Sequence, residues 1–226
     1  MSHERRKESF VTMSRSLRCA AWLVLASYTS LQILGRAAGS TRRERRTELP
    51  GDQVVPQPNA ITNHAITIAA PPEAIWPWLT QMGWHRGGYY TPRWVDRFLF
   101  PANWPSLDLL DQDLTREFVP GDTIPDGPPG TAHFVVHDVR APDTLVLHST
   151  THVPRAWQNH GARVDWTWTF RLTSVAGGAT RLHLRVRGRA APWWLAIAYV
   201  TGIVPADAVM ATGMLRGLKR RAERRR

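Results

Sequence analysis

The chain has 226 residues, enough for one domain with a substantial core and extensions but short for two full domains. Its formal charge of +11 is confined to the ends: ten Lys/Arg face four Glu over residues 1–49 and seven face one over 216–226, which leaves the middle near neutral. Almost all of that charge is arginine, without aromatic interleaving or a nucleic-acid-binding motif, so the ends read as solubilising or anionic-lipid-seeking tails and base reading is excluded.

The first element in chain order is the apolar segment Cys19 to Leu34, preceded by Arg15 and Arg18 and followed by Gly35 and Arg36. It is shorter than the roughly 20 residues of a spanning helix and carries Ser27, Thr29, Ser30 and Gln32, so three readings stay open: a signal anchor, a cleaved signal peptide, and a helix lying in the interface plane. Spanning would put an arginine cluster on the outer face, against the positive-inside tendency, whereas an in-plane or loose anchor keeps both basic tails on the cytoplasmic side. Cys19 is the only cysteine, which excludes an intramolecular disulfide and a thiolate-rich metal site. Residues 1–48 thus form a basic region around the anchor-like stretch 19–34. Residues 49–60, polar and then Pro-rich, read as a linker, and the domain is expected over 61–226 with a basic tail.

Ile66, Thr67 and Ile68 alternate as a strand, and Pro71 and Pro72 open a helix whose stripe is Ile75, Trp78, Leu79 and Met82, with Pro77 expected to kink or restart it. A Gly-rich loop follows, then a second short helix carrying Trp94, Val95, Phe98 and Leu99. Residues 101–130 are rich in Pro, Asp and Gly and allow only short structure, such as 116–119, before two strands, AHFVVHDV and TLVLHST. The clearest hairpin flanks Gly177 and Gly178. A three-residue loop, Ala176 to Gly178, pairs Trp168 with Val186, Phe170 with Leu184 and Leu172 with Leu182, which gives one apolar face and sends Arg185 and Arg187 to the other, expected to meet solvent. After PWWLAIAYVTGIV a long helix starts at Pro205, with Asp207 in its first turn and an inner stripe of Val209, Met210, Gly213, Met214, Gly217 and Leu218.

The blocks LPGDQVVP, ITIAAPPEAIWPWLTQMG with RGGYY behind it, WTWTFRLTSVAGGATRLHLRVRGR and MLRGLKRRAE span most of residues 49–223. They resemble bacterial members of the START-like superfamily, also described as SRPBCC or polyketide cyclase/dehydrase and lipid-transport-like. The resemblance implies an α+β helix-grip fold: a curved antiparallel sheet wrapped around a long C-terminal helix, with an apolar cavity between them. The N-terminal apolar helix would lie outside this domain, and it and residues 193–204 are departures from the family's soluble ligand binders.

Nine histidines invite a metal site, but His133/His137 and His148/His152 lie on or beside strands, where four residues rise about 13 Å, too far to share one zinc ion. No metal, cofactor or catalytic motif is expected. The reading is a membrane-associated, non-catalytic binder of a hydrophobic small molecule or lipid. Its expected ligand contacts are Trp166, Trp168, Phe170, Leu184, Met210 and Met214, with Trp78, Trp94 and Phe98 at the mouth. The alternatives are a cavity enzyme of the cyclase/dehydratase type, for which Asp138, His148, His152 and Asp165 are candidate acid/base groups, and a structural domain with a filled core.

Overall fold

The computed structural model describes residues 2–103 and 105–224, with side chains from Leu17 onward. The expected side chains of Arg5, Arg6, Lys7 and Arg15, and the terminal Arg225 and Arg226, lie outside the described residues. One six-stranded antiparallel sheet runs in the order β1-β6-β5-β4-β3-β2, with β1 Ala60–Ile68, β2 Thr123–Pro125, β3 His133–Arg140, β4 Thr144–Ser149, β5 Arg163–Val175 and β6 Ala179–Ala191. The helices are α1 Ser2–Ala37, α2 Arg42–Arg46, α3 Pro72–Thr80, α4 Arg93–Leu99, α5 Arg155–Gln158, α6 Trp193–Ala198 and α7 Val204–Ala222. A sheet curved around α7 is the helix-grip fold, with the apolar α1 attached outside it.

The β5–β6 hairpin sets the geometry of everything else. Trp168 pairs with Val186, Phe170 with Leu184 and Leu172 with Leu182, and the loop Ala176–Gly178 turns through Gly177 and Gly178 at φ 79° and 70°, values that glycine adopts without a Cβ penalty. Alternation then sends Phe170, Leu172, Leu182, Leu184 and Val186 to the concave side, where they meet Ile75, Leu79 and Met82 from the α3 segment and Met214, Leu215 and Leu218 from α7. A smaller cluster of Val153, Ala162, Val164, Ala190, Tyr199 and Val204 closes the other end of the sheet.

Three local expectations are corrected. Pro77 sits inside a continuous α3, a helix so short that one missing hydrogen bond does not divide it. Residues 116–119 carry no regular element, and the short structure of that stretch is instead the turn Pro101–Asn103 and β2, which pairs with β3. Arg185 lies on the convex face as the register requires, yet it is only 3% exposed. Residues 39–58 lie across that face: Arg185 donates to Asp52 Oδ2 at 2.7 Å, to the Thr47 and Glu44 carbonyls at 2.9 and 2.8 Å, and to Asn63 Oδ1 at 2.9 Å. Strand parity fixes which face a side chain takes; it does not say what covers that face.

The stretch expected as a linker is therefore packed. At Gly51 a Cβ would stand 2.6 Å from Val146 Cγ1, and Thr169 donates to the Pro50 carbonyl at 3.0 Å. The glycines of α7 leave room for a neighbouring loop. A Cβ at Gly213 would meet Pro92 Cδ at 2.4 Å and one at Gly217 would meet the Tyr90 carbonyl at 2.0 Å, so they admit the Tyr90–Pro92 loop.

Candidate ligand-binding cavity

A cavity of about 270 Å³ lies between the concave face and the first half of α7. The strands contribute Trp166, Trp168, Leu184 and Val186, and the last helix contributes Ala206, Asp207, Met210, Ala211 and Met214. Trp84 and Tyr89 from the loop after α3 form a second aromatic wall, while Phe100 and Asn103 bound the cavity beside α4. Phe100 and Ile203 are exposed as well as lining, so the cavity reaches the surface between α4 and the start of α7. Its volume falls just below the roughly 300–1,000 Å³ usual for small-molecule sites, which suits a compact ligand.

Of the residues expected at the ligand, Trp166, Trp168, Leu184, Met210 and Met214 come together on this cavity. Phe170 and Trp78 are instead packed in the core, Trp78 edge-on to Tyr90 at 5.8 Å. Trp94 and Phe98 are 55% and 74% exposed on α4 and do not reach the cavity. The mouth belongs to Phe100, the residue closing α4, because the helix turns its apolar stripe outward while its buried face carries Val95 and Asp96.

The polar groups on the walls are what periodicity could not place. His152, in the loop after β4, stacks on Trp166 at 5.0 Å and 21°. Its Nε2 is 2.7 Å from Asp126 Oδ2 and its Nδ1 is 2.7 Å from Ser149 Oγ. Ser149 Oγ donates to the His133 carbonyl at 2.6 Å, which also accepts from Thr151 Oγ1 at 2.9 Å, so Ser149, Thr151, His152 and Asp126 form one connected network on the cavity wall. Tyr89 donates to the Pro125 carbonyl at 3.0 Å, and burial, reinforced by the charge of Asp126, pushes its phenol well above its ordinary range, so it stays neutral.

Asp207, at the other end, accepts from Thr62 Oγ1 at 2.8 Å and lies 3.7 Å from the buried His64 Nε2. Burial first, and then the charge of Asp207, push Tyr199 up. Asp96 accepts from Thr91 and, at 2.9 Å, from Ser106. The other acid/base candidates do not converge here. His148 and Asp165 pair at 2.7 Å on the outer face, where Leu147 and Trp166 take the inner positions, and Asp138 pairs with Arg140 at 3.2 Å. Among the described residues no group of His, Cys, Asp and Glu is arranged to hold a metal ion.

Sequence reasoning missed Asp126, Asp207, Asp96, Trp84, Tyr89 and Tyr199. Asp126 sits in a Pro/Gly-rich loop and Asp207 in a first helical turn, where an acid has an ordinary explanation. A wider groove of about 380 Å³ between α4 and the end of α7 carries Arg93, Arg220, Arg221 and Arg224. Asp108 pairs with Arg93 and Arg221 there, at 3.1 and 2.8 Å.

No protein-family model matches the chain, and no curated protein matches it. Solved structures do. A hypothetical protein, jhp0584, from Helicobacter pylori is 11% identical with a TM-score of 0.50, the match covering 76% of this chain and 94% of that one. CalU16 from Micromonospora echinospora is 17% identical over 74% of this chain and 88% of its own, with a TM-score of 0.35. A norcoclaurine synthase point mutant from Thalictrum flavum is 11% identical over 69% and 94%, with a TM-score of 0.32. At such identities the likeness is one of fold alone.

Proposed function

We propose that the protein binds a hydrophobic small molecule or lipid in this cavity while associated with a membrane. The observation that carries the reading is the cavity itself, unfilled by side chains and walled by Trp84, Tyr89, Trp166, Trp168, Met210 and Met214. A filled core, the third alternative, would have closed it. Membrane association draws support from two helical stretches long and apolar enough to cross a bilayer, Leu17–Ala37 and Trp193–Ala222. The second doubles as the core helix over α7. The first exposes Trp22, Leu23, Val24, Ile33 and Leu34, while its other side packs along the last helical stretch, where a Cβ at Gly35 would stand 1.9 Å from the Val204 carbonyl and Tyr28 and Gln32 donate to the Thr201 and Val200 carbonyls at 2.9 and 3.0 Å. Exposed Trp193, Ile197 and Ile203 on the α6 side, and Trp94, Phe98 and Leu99 on α4, add apolar surface around the mouth. An in-plane α1 with both basic tails toward a cytoplasmic leaflet agrees with this distribution.

A second reading, a cavity enzyme working by acid/base chemistry, is favoured by one observation, the Asp126–His152 pair at 2.7 Å on the cavity wall. Binding is placed first because both ring nitrogens of His152 are already engaged, by Asp126 and by Ser149. A neutral, environment-sensitive probe such as N-phenyl-1-naphthylamine should bind one per chain with enhanced fluorescence, and Ala206→Trp should abolish that signal. No enhancement with the folded wild-type protein would defeat the reading. The two readings part on the fate of the natural ligand, which binding returns chemically unchanged after incubation and an enzyme converts.

A further inference from the structure

The middle of the chain is neutral and the whole protein is strongly basic, yet no Lys or Arg lines the cavity among the described residues. The charged groups that do line it are Asp96, Asp126 and Asp207. Asp96 is set aside because both of its carboxylate oxygens are already engaged, by the Thr91 and Ser106 hydroxyls. Asp126 and Asp207 have no Lys or Arg within ion-pair distance among the described residues: Asp126 is paired with His152 Nε2 at 2.7 Å, and Asp207 accepts from the Thr62 hydroxyl with the buried His64 Nε2 at 3.7 Å. Carboxylates held against apolar walls without a Lys or Arg partner are costly to desolvate, and a cation between them offsets that cost.

The walls supply the second, independent half of the argument. Trp84, Tyr89, Trp166, Trp168 and Tyr199 present five aromatic rings to a space of about 270 Å³. Trp166 is itself sandwiched, with His152 at 5.0 Å and Tyr199 at 5.3 Å, and Trp168 is fixed edge-on by Tyr89 at 6.0 Å. Preorganised indole and phenol rings attract a cation over their faces, Trp most strongly, and the same rings take an apolar body. An anionic headgroup would meet two carboxylates and no basic side chain.

We infer that the ligand is a hydrophobic cation, a compact apolar molecule carrying a protonated amine or a quaternary ammonium, held between Asp126 and Asp207 in the aromatic cavity. The inference rests on the proposal that the cavity binds a hydrophobic small molecule and adds the charge of that molecule. The test is competition against N-phenyl-1-naphthylamine on the full-length protein with three matched probes: 2-(1-naphthyl)ethyltrimethylammonium, its uncharged 3,3-dimethylbutyl isostere, and 4-(1-naphthyl)butanoate. The ammonium should displace the dye at a concentration at least about 10-fold below the neutral isostere, with the carboxylate weakest. Asp126→Asn and Asp207→Asn should each shrink the ratio of ammonium to neutral-isostere affinity several-fold. Dye binding with equal or better competition by the neutral isostere overturns the charge assignment and leaves the cavity reading intact. An ammonium preference that survives both variants overturns the assignment to these carboxylates. Failure of the dye and all three probes removes the cavity reading and this inference with it.

Discussion

The two faces of the β5–β6 hairpin follow from one alternating pattern and end up with opposite characters. On the convex face Thr169, His183, Arg185 and Arg187 are roofed by residues 39–58, with Asp52 at 2.7 Å from Arg185 and 3.7 Å from Arg187 and Glu44 at 2.7 Å from Arg181. On the concave face Trp166, Trp168, Leu184 and Val186 line an open volume together with Asp126. A polar layer roofed by the chain itself specifies structure, whereas groups around an open cavity specify a ligand. The comparison predicts that convex substitutions change stability and spare binding, and that concave substitutions do the reverse.

The largest effect should come from Arg185→Ala. It leaves Asp52 buried beside three carbonyls that lose their donor, a loss of about 3–5 kcal/mol measurable by denaturant unfolding. If the variant were as stable as wild type, Arg185 would not be the group that holds the roof on the convex face.

His183 gives the next effect. Burial first, then the neighbouring Arg185, lower its pKa to about 4 from 6.5. The neutral form is the one the fold accepts, so the unfolded chain binds more protons between these values. The stabilisation is present above pH 6.5 and is lost as pH falls toward 4, by at most about 3 kcal/mol after allowing for solvent screening. His183→Gln should flatten the stability profile over that window and leave dye binding unaltered. An unchanged slope would remove His183 from the account.

On the concave side Trp168→Ala should cost less than the about 3–5 kcal/mol of a fully packed tryptophan, because one side of the ring already faces open space, but it should weaken dye binding markedly. A full packing penalty with intact binding would reverse the roles of the two faces.

The smallest stability effect is expected from removing α1. A chain starting at Arg36 keeps the Ala38 carbonyl that accepts from Ala65 and the whole convex roof, so it should stay folded and leave the membrane fraction. A chain starting at Leu49 lacks Glu44 and the Thr47 carbonyl and should be less stable. Equal partitioning of full-length and Arg36-starting chains would rule out anchoring by α1.

How much of this was legible in the sequence depends on periodicity. The hairpin register, the concave position of Trp166 and Trp168, and α7 followed from period-two and helical patterns that the three-dimensional structure has to respect. Phe98 misled because α4 keeps its apolar stripe outward and buries Asp96, an inversion that only an exposed apolar helix face explains. Asp126 and His152 come from loops, where no period tells a side chain's direction, and their partnership spans 26 residues. The convex roof was read as a linker because its Pro and charged residues look like one, and several of its bonds to Arg185 run through backbone carbonyls that carry no side-chain signature.

The most direct test of the central claim is native mass spectrometry of the full-length protein purified without detergent exchange, beside Ala206→Trp. The account predicts a bound small molecule on the wild-type chain, displaced by N-phenyl-1-naphthylamine and missing from the filled variant. A wild-type chain that neither carries a ligand nor takes up the dye, or a ligand retained equally by Ala206→Trp, would contradict it.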